Sequence, residues 1–101
     1  MMIEFSVVPL GRGASVSPVI ARVLRIVMDS GVRYKANPMG TVIEGEWSEL
    51  MDLVRRCHEE ALRDGERVVT TIKIDDYPAK GSRLDRKLES VEQKLGAKLD
   101  R

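Results

Sequence analysis

Apolar and polar side chains alternate at the start of the chain. Over residues 3–7, apolar positions are separated by Glu4 and Ser6. A period of two is typical of a strand that is buried on one face. We therefore predict a first strand over residues 2–9.

The next apolar residues recur at three- and four-residue spacing, as they do on one face of a helix. They are Val16, Val19, Ile20, Val23, Leu24 and Val27. Ser17 followed by Pro18 is typical of an N-cap and a first helical position, and Gly31 is typical of a C-terminal stop. These signals predict a first helix over residues 17–30.

Beyond this helix, the pattern predicts a hairpin of two strands. An extended segment begins at Val32, and the tetrapeptide Asn37-Pro38-Met39-Gly40 has the composition of a turn. The extended pattern then resumes over residues 41–45.

Two further helices and one strand complete the pattern. Residues 47–64 carry apolar side chains at helical spacing and predict a second helix. These side chains are Leu50, Leu53, Val54, Cys57 and Ala61. Dense β-branched residues predict a strand over 67–76. A third helix is predicted to begin at a capping box of Ser82 and Asp85 and to end near Gly96.

The predicted order is β-α-β-β-α-β with a C-terminal helix, which is the split βαβ or ferredoxin-like arrangement. In this α+β sandwich, a four-stranded antiparallel sheet carries two helices on one face. The sequence shows no repeat, low-complexity tract or linker, so we predict a single domain over residues 1–101.

Alternation along the strands predicts which side chains lie on each face of the sheet. The helix-facing set is Ile3, Phe5, Val7, Ile43, Val68, Ile72 and Ile74, and the opposite set is Glu4, Ser6, Val8, Val42, Glu44, Val69, Thr71 and Lys73. The valines of the opposite face require cover, so we predict a homodimer or homotetramer that assembles through sheet faces. Ser6, Glu44 and Thr71 then either satisfy one another or hold a ligand.

Two more features are candidates for binding. Glu44 and Glu46 lie two residues apart on an extended segment, so both carboxylates are expected on one side, although solvated carboxylates before a helix show the same pattern. The loop at residues 11–15 carries Arg12 just before a helix N-terminus, where backbone amides favour anions. The same loop is also typical of a plain connection.

Composition excludes several classes of function. The 101 residues carry a formal net charge of +1, one cysteine and one histidine, which excludes an intrachain disulfide and a zinc finger. The sheet lacks the aromatic residues of RNA-binding domains, so we expect no nucleic-acid partner. No signal segment or membrane-length apolar run is present, so we expect a cytoplasmic chain with no membrane partner. Catalytic and phosphate-binding motifs are also missing, which favours binding over catalysis.

The residues themselves resemble one family. Residues 5–11, the segment 34–46 with Pro-Met-Gly-Thr followed by Glu-Gly-Glu, and residues 67–75 resemble the thiamine-binding protein family, whose members share a ferredoxin-like fold. The resemblance covers nearly the whole chain. It implies a cytoplasmic, non-catalytic protein that binds thiamine or its hydroxymethylpyrimidine portion, needs no cofactor, and forms dimers that pair into tetramers through their sheets.

On this resemblance, Glu44, Glu46, Thr41 and Thr71 are the best candidates to meet the aminopyrimidine, because carboxylates and hydroxyls complement its amino group and ring nitrogens. Arg12 would repel a thiazolium cation unless a phosphate accompanied it, so Arg12 predicts a phosphorylated ligand. The alternatives are an oligomeric interaction or regulatory domain without a small ligand and, third, an uncharacterised enzyme.

Overall fold

The computed structural model describes residues 1–11, 13, 16–63 and 65–101. It contains four strands and three helices within this part of the chain. The strands are β1 (Met2–Leu10), β2 (Arg33–Asn37), β3 (Gly40–Glu44) and β4 (Arg67–Asp75), and the helices are α1 (Ser17–Ser30), α2 (Trp47–Leu62) and α3 (Arg86–Leu95).

The sheet has the order β2-β3-β1-β4, and each neighbouring pair is antiparallel. Along the chain, α1 connects β1 to β2 and α2 connects β3 to β4. This is the predicted ferredoxin-like α+β arrangement. Gly31 adopts the left-handed conformation at the end of α1, with φ of 79°, so the predicted helix stop is confirmed.

Helix α1 spans the predicted residues 17–30, but two predicted helix caps are wrong. Val16, rather than Ser17, is the N-cap of α1, and its carbonyl accepts the N–H groups of Val19 and Ile20. The capping box before α3 does not form, because α3 begins at Arg86 and the Ser82 hydroxyl donates to a carboxylate of the sheet.

The hydrophobic core lies between the sheet and helices α1 and α2. Its least exposed members are Ile3, Val27, Ile43, Leu50, Cys57 and Ala61. Burial of one such large aliphatic side chain contributes about 1.5–3 kcal/mol. Ile72 and Ile74 face the helix side, since they pair with Phe5 and Ile3, but they are 38% and 40% exposed because β4 is an edge strand.

We call the face of the sheet opposite α1 and α2 the open face. The segment between β4 and α3 covers one end of this face. Met2 is 9% exposed and Leu84, from the segment between β4 and α3, is 7% exposed. The other end remains uncovered among the described residues, since Val8 and Val69, which are paired in register, are 43% and 44% exposed. The predicted need for cover therefore applies to only part of this face.

Candidate functional site

A cavity of about 330 Å³ lies where α1, β1 and the turn between β2 and β3 meet. Its walls are mainly apolar. They comprise Phe5, Ser6, Val7, Val8, Val16, Ile20, Val23, Leu24, Asn37, Pro38, Met39, Gly40 and Thr41. Among the described lining residues, the polar side chains are those of Ser6, Asn37 and Thr41, which can donate and accept hydrogen bonds. A small number of polar groups in an apolar cavity is the usual composition of a small-molecule site.

The cavity exists because β3 begins at Gly40, so that β1 continues beyond the start of its antiparallel neighbour. The described pairing of β1 with β3 runs from Met2 to Phe5, whereas the pairing of β1 with β4 continues to Leu10. The strand therefore extends past its neighbour on one edge. The turn at residues 37–40 and the start of α1 enclose the space that follows.

Strand geometry directs the backbone of Val7, a lining residue, into this space. A Cβ atom on Gly40 would lie 3.1 Å from the carbonyl oxygen of Phe5, so this oxygen is directed toward β3. The backbone groups of residues two apart on a strand share an edge, and Val7 therefore presents its N–H and C=O beyond Gly40, the first residue of β3. Pro9 lies on the same edge, where a residue without an N–H group is tolerated.

Ser6 and Thr41, both sequence-predicted candidates, line the same cavity. They lie on opposite faces of the sheet, because Thr41 pairs with Phe5 and Ser6 follows Phe5 along the strand. Thr41 is 7% exposed, and Ser6 is half-buried. The open edge of β1 brings them to one cavity, which alternation alone does not predict.

The Glu44 carboxylate is engaged elsewhere. It accepts hydrogen bonds from the Ser82 hydroxyl at 2.6 Å and from the backbone N–H groups of Arg83 and Leu84 at 2.7 and 3.1 Å. Arg33 approaches it at 3.4 Å. Burial raises the pKa of Glu44, but these hydrogen bonds and the arginine charge together lower the pKa below its usual value of 4.5. The carboxylate thus anchors the segment before α3.

The remaining predicted residues do not join the cavity. Thr71 is exposed on the open face, in register with Ser6. Glu46 is exposed at the N-cap of α2, and because β3 ends at Glu44, the alternation that predicted a common side for the two glutamates does not reach Glu46. Arg12, with its predicted anion site, lies outside the described residues.

Sequence reasoning did not single out Asn37, Met39 or the Val7 backbone as site groups. Met39 is 90% exposed and forms part of the cavity wall. The sequence signal for an open edge at this site was Pro9. A proline within a strand indicates that the backbone has no hydrogen-bonding partner strand on that side.

The described residues show neither of two other kinds of site. Within residues 1–11, 13, 16–63 and 65–101, no three His, Cys, Asp or Glu side chains are grouped to hold a metal ion. No helix in these ranges has the length and apolar content needed to cross a membrane.

The profile of a family described as thiamine-binding protein matches residues 3–92 of this chain. The chain belongs to the thiamine-binding protein family. The match includes all six candidate residues, which are Ser6, Arg12, Thr41, Glu44, Glu46 and Thr71.

The chain is also similar to individual UPF0045 proteins over most of its length. A UPF0045 protein of Methanocaldococcus jannaschii is 35% identical over 87% of this chain and 88% of its own length. A UPF0045 protein of Methanothermobacter thermautotrophicus is 40% identical over 91% of this chain and 96% of its own.

Solved structures confirm the fold. A protein of Methanocaldococcus jannaschii superposes with a TM-score of 0.85 at 34% identity, over 91% of this chain and 95% of that one. A Thermotoga maritima protein, provisionally described as a thiamine biosynthesis or salvage protein, superposes with a TM-score of 0.76 at 28% identity, over 89% and 96% of the two chains.

Proposed function

We propose that this member of the thiamine-binding protein family binds the hydroxymethylpyrimidine portion of thiamine in the cavity beside β1, without catalysis. The observation that carries the proposal is the open edge of β1, where the Val7 backbone lies next to the Ser6 and Thr41 side chains. An aminopyrimidine presents an amino donor beside a ring-nitrogen acceptor. The C=O and N–H of one strand residue complement that pair.

The size and the walls of the cavity support a single heterocycle. Its volume of about 330 Å³ is near the lower end of the roughly 300–1,000 Å³ found for ligand sites. Ile20 and Leu24 of α1 offer apolar surface to the faces of a ring, and the thioether of Met39 makes favourable contacts with aromatic systems. A single ring would fit here, and a dinucleotide would not.

The charges of the lining favour the pyrimidine over the thiazolium portion. The described lining residues carry no charged side chain, so nothing in them offsets the desolvation of a cation. The neutral ring therefore supplies the binding energy, and the thiazolium remains outside in water. The same lining holds no carboxylate, imidazole or thiol to act as an acid, base or nucleophile, which supports a non-catalytic role.

Self-association through the uncovered end of the open face is part of this proposal. Val8, Leu10 and Val69 are each 39–44% exposed, and a second copy of the sheet would remove this apolar surface from water. We place the resulting dimer or tetramer in the cytoplasm, with the small molecule as its partner. The open face also favours the alternative of an interaction domain, in which no small ligand binds.

Calorimetric titration tests the proposal. Hydroxymethylpyrimidine and thiamine should bind with affinities within about tenfold of each other, because both present the same ring. Hydroxyethylthiazole, the other half of thiamine, should give no binding heat. The absence of binding by both pyrimidine compounds, or a preference for the thiazole, would favour the interaction domain.

A further inference from the structure

A cleft of about 740 Å³ lies between the open face of the sheet and the segment that contains α3. Its walls include apolar side chains from both sides: Met2 and Val42 from the sheet, and Leu84 and Leu88 from the opposing segment. Among its described lining residues, it shares only Asn37 with the cavity beside β1. The cleft is therefore a separate site.

Charged side chains surround these apolar walls, and among the described lining residues cations outnumber carboxylates by two. The cations are Lys35, Lys73, Lys87 and Arg101, and the carboxylates are Glu4 and Asp75. An apolar surface with a positive rim complements a molecule that has an apolar body and an anionic group.

Two of the lysines can turn toward a ligand without leaving a carboxylate unpaired. Asp75 contacts Lys87 at 2.7 Å and also Arg83 at 2.5 Å. Asp85 contacts Arg33 at 2.7 Å and also Lys35. Each carboxylate thus keeps an arginine when its lysine moves.

The third lysine is held only loosely. Lys73 lies 3.8 Å from Glu4, and its side chain is 80% exposed. Exposed ion pairs of this kind contribute little to stability, so an incoming anion competes with Glu4 at low cost. Lys73 and Lys35 extend from opposite edge strands, in register with Glu4 and Val42 between them.

We propose that this cleft binds a small organic phosphate, with the phosphate group near Lys73 and Lys87 on the β4 side and the organic part against the apolar walls. A phosphate dianion presents several acceptor oxygens at once, so it can engage more than one ammonium group, which a single carboxylate does less well. The site goes beyond the proposed pyrimidine binding, because the described lining residues of that cavity carry no charge.

Titration at low salt with three probes tests this assignment. Phenyl phosphate should bind about tenfold or more tightly than inorganic phosphate, because its ring removes the apolar walls from water. Benzyl alcohol should not bind measurably, because it lacks the anion. Equal affinities for phenyl phosphate and inorganic phosphate would overturn the proposal, since the apolar walls would then contribute nothing.

Paired variants test whether phenyl phosphate binds in the cleft. Lys73→Met should weaken the binding of phenyl phosphate about tenfold, corresponding to one charge-assisted contact. Lys94→Met, on α3 outside the cleft, should leave this affinity unchanged. Leu88→Asn should weaken the binding of phenyl phosphate but not that of inorganic phosphate, and Leu95→Asn should leave both affinities unchanged. An equal loss in Lys73→Met and Lys94→Met would indicate diffuse surface attraction and contradict the proposal.

Discussion

The carboxylate of Glu44 accepts the backbone N–H of Leu84 at 3.1 Å, across 40 residues of sequence. The adjacent contacts from Arg83 and Ser82 reinforce this junction. It holds the segment before α3 against the end of β3. Glu44 therefore has a structural role in the fold.

Glu44→Gln should detach this segment in part. Glutamine keeps one acceptor oxygen, and its amide NH₂ faces donors, so we expect a loss of about 1–3 kcal/mol in the free energy of unfolding. Hydrogen exchange should accelerate at the Arg83 and Leu84 amides. Glu46→Gln, at an exposed position, is the matched control and should change stability by less than about 0.5 kcal/mol.

The same contacts predict a pH dependence. The folded-state pKa of Glu44 lies below its usual value of 4.5, so its contribution to stability is complete above the unfolded-state pKa. The contribution is lost as the pH falls through the folded-state pKa. Denaturant unfolding of Glu44→Gln should consequently depend less steeply on pH in this acidic range than unfolding of the wild type, and identical slopes would contradict this role of the carboxylate.

Cys57 should be unreactive in the folded protein. It is fully buried, and burial raises the pKa of its thiol to about 11. A thiol reagent at pH 8 should modify it only after unfolding. Because the raised pKa keeps the folded thiol protonated while the unfolded thiol, with its ordinary pKa of 9.0, ionises, stability should fall between about pH 9 and 11, and Cys57→Ala should lessen that fall.

Assembly through the open face can be tested at Val69. Val69→Lys places a charge where Val8 and Val69 are paired in register, so light scattering should report weaker association than for the wild type. Val91→Lys, at a similarly exposed position on α3, is the control. A wild-type chain that remains monomeric at micromolar concentration would remove the assembly argument.

The Thr41 hydroxyl in the cavity should contribute to pyrimidine binding. Thr41→Val keeps the shape of the side chain but removes the hydroxyl, and we expect a loss of about 0.5–1.5 kcal/mol in the free energy of binding. Thr71→Val, at the exposed position in register with Ser6, should leave the affinity unchanged. If Thr71→Val weakens binding as much as Thr41→Val does, the ligand lies on the open face instead.

Much of the fold follows from local pattern. The period of two correctly places Ile3, Phe5 and Val7 toward the helices, where all three are buried. Gly31 ends α1 as predicted, because its positive φ is a local property of the backbone. Such features depend on neighbouring residues, so the sequence carries them directly.

The site depends on contacts that local pattern does not contain. Alternation placed Glu44 with Ser6 and Thr71 on one face, but Glu44 lies four residues along the sheet from them, opposite Met2, which is about 13 Å at 3.3 Å per residue. Its partners come from a segment some 40 residues later. The number of β1 residues that continue beyond the pairing with β3 likewise depends on the position of the turn at residues 37–40.

The most direct test of the proposed site is the backbone amide of Val7, followed by NMR during titration with hydroxymethylpyrimidine. Binding at the open edge of β1 should shift the Val7 amide and those of Met39 and Thr41, while the amides of Lys73 and Lys87 beside the cleft remain unchanged. Shifts confined to the cleft, or saturable binding that leaves the Val7 amide unmoved, would contradict the proposed site.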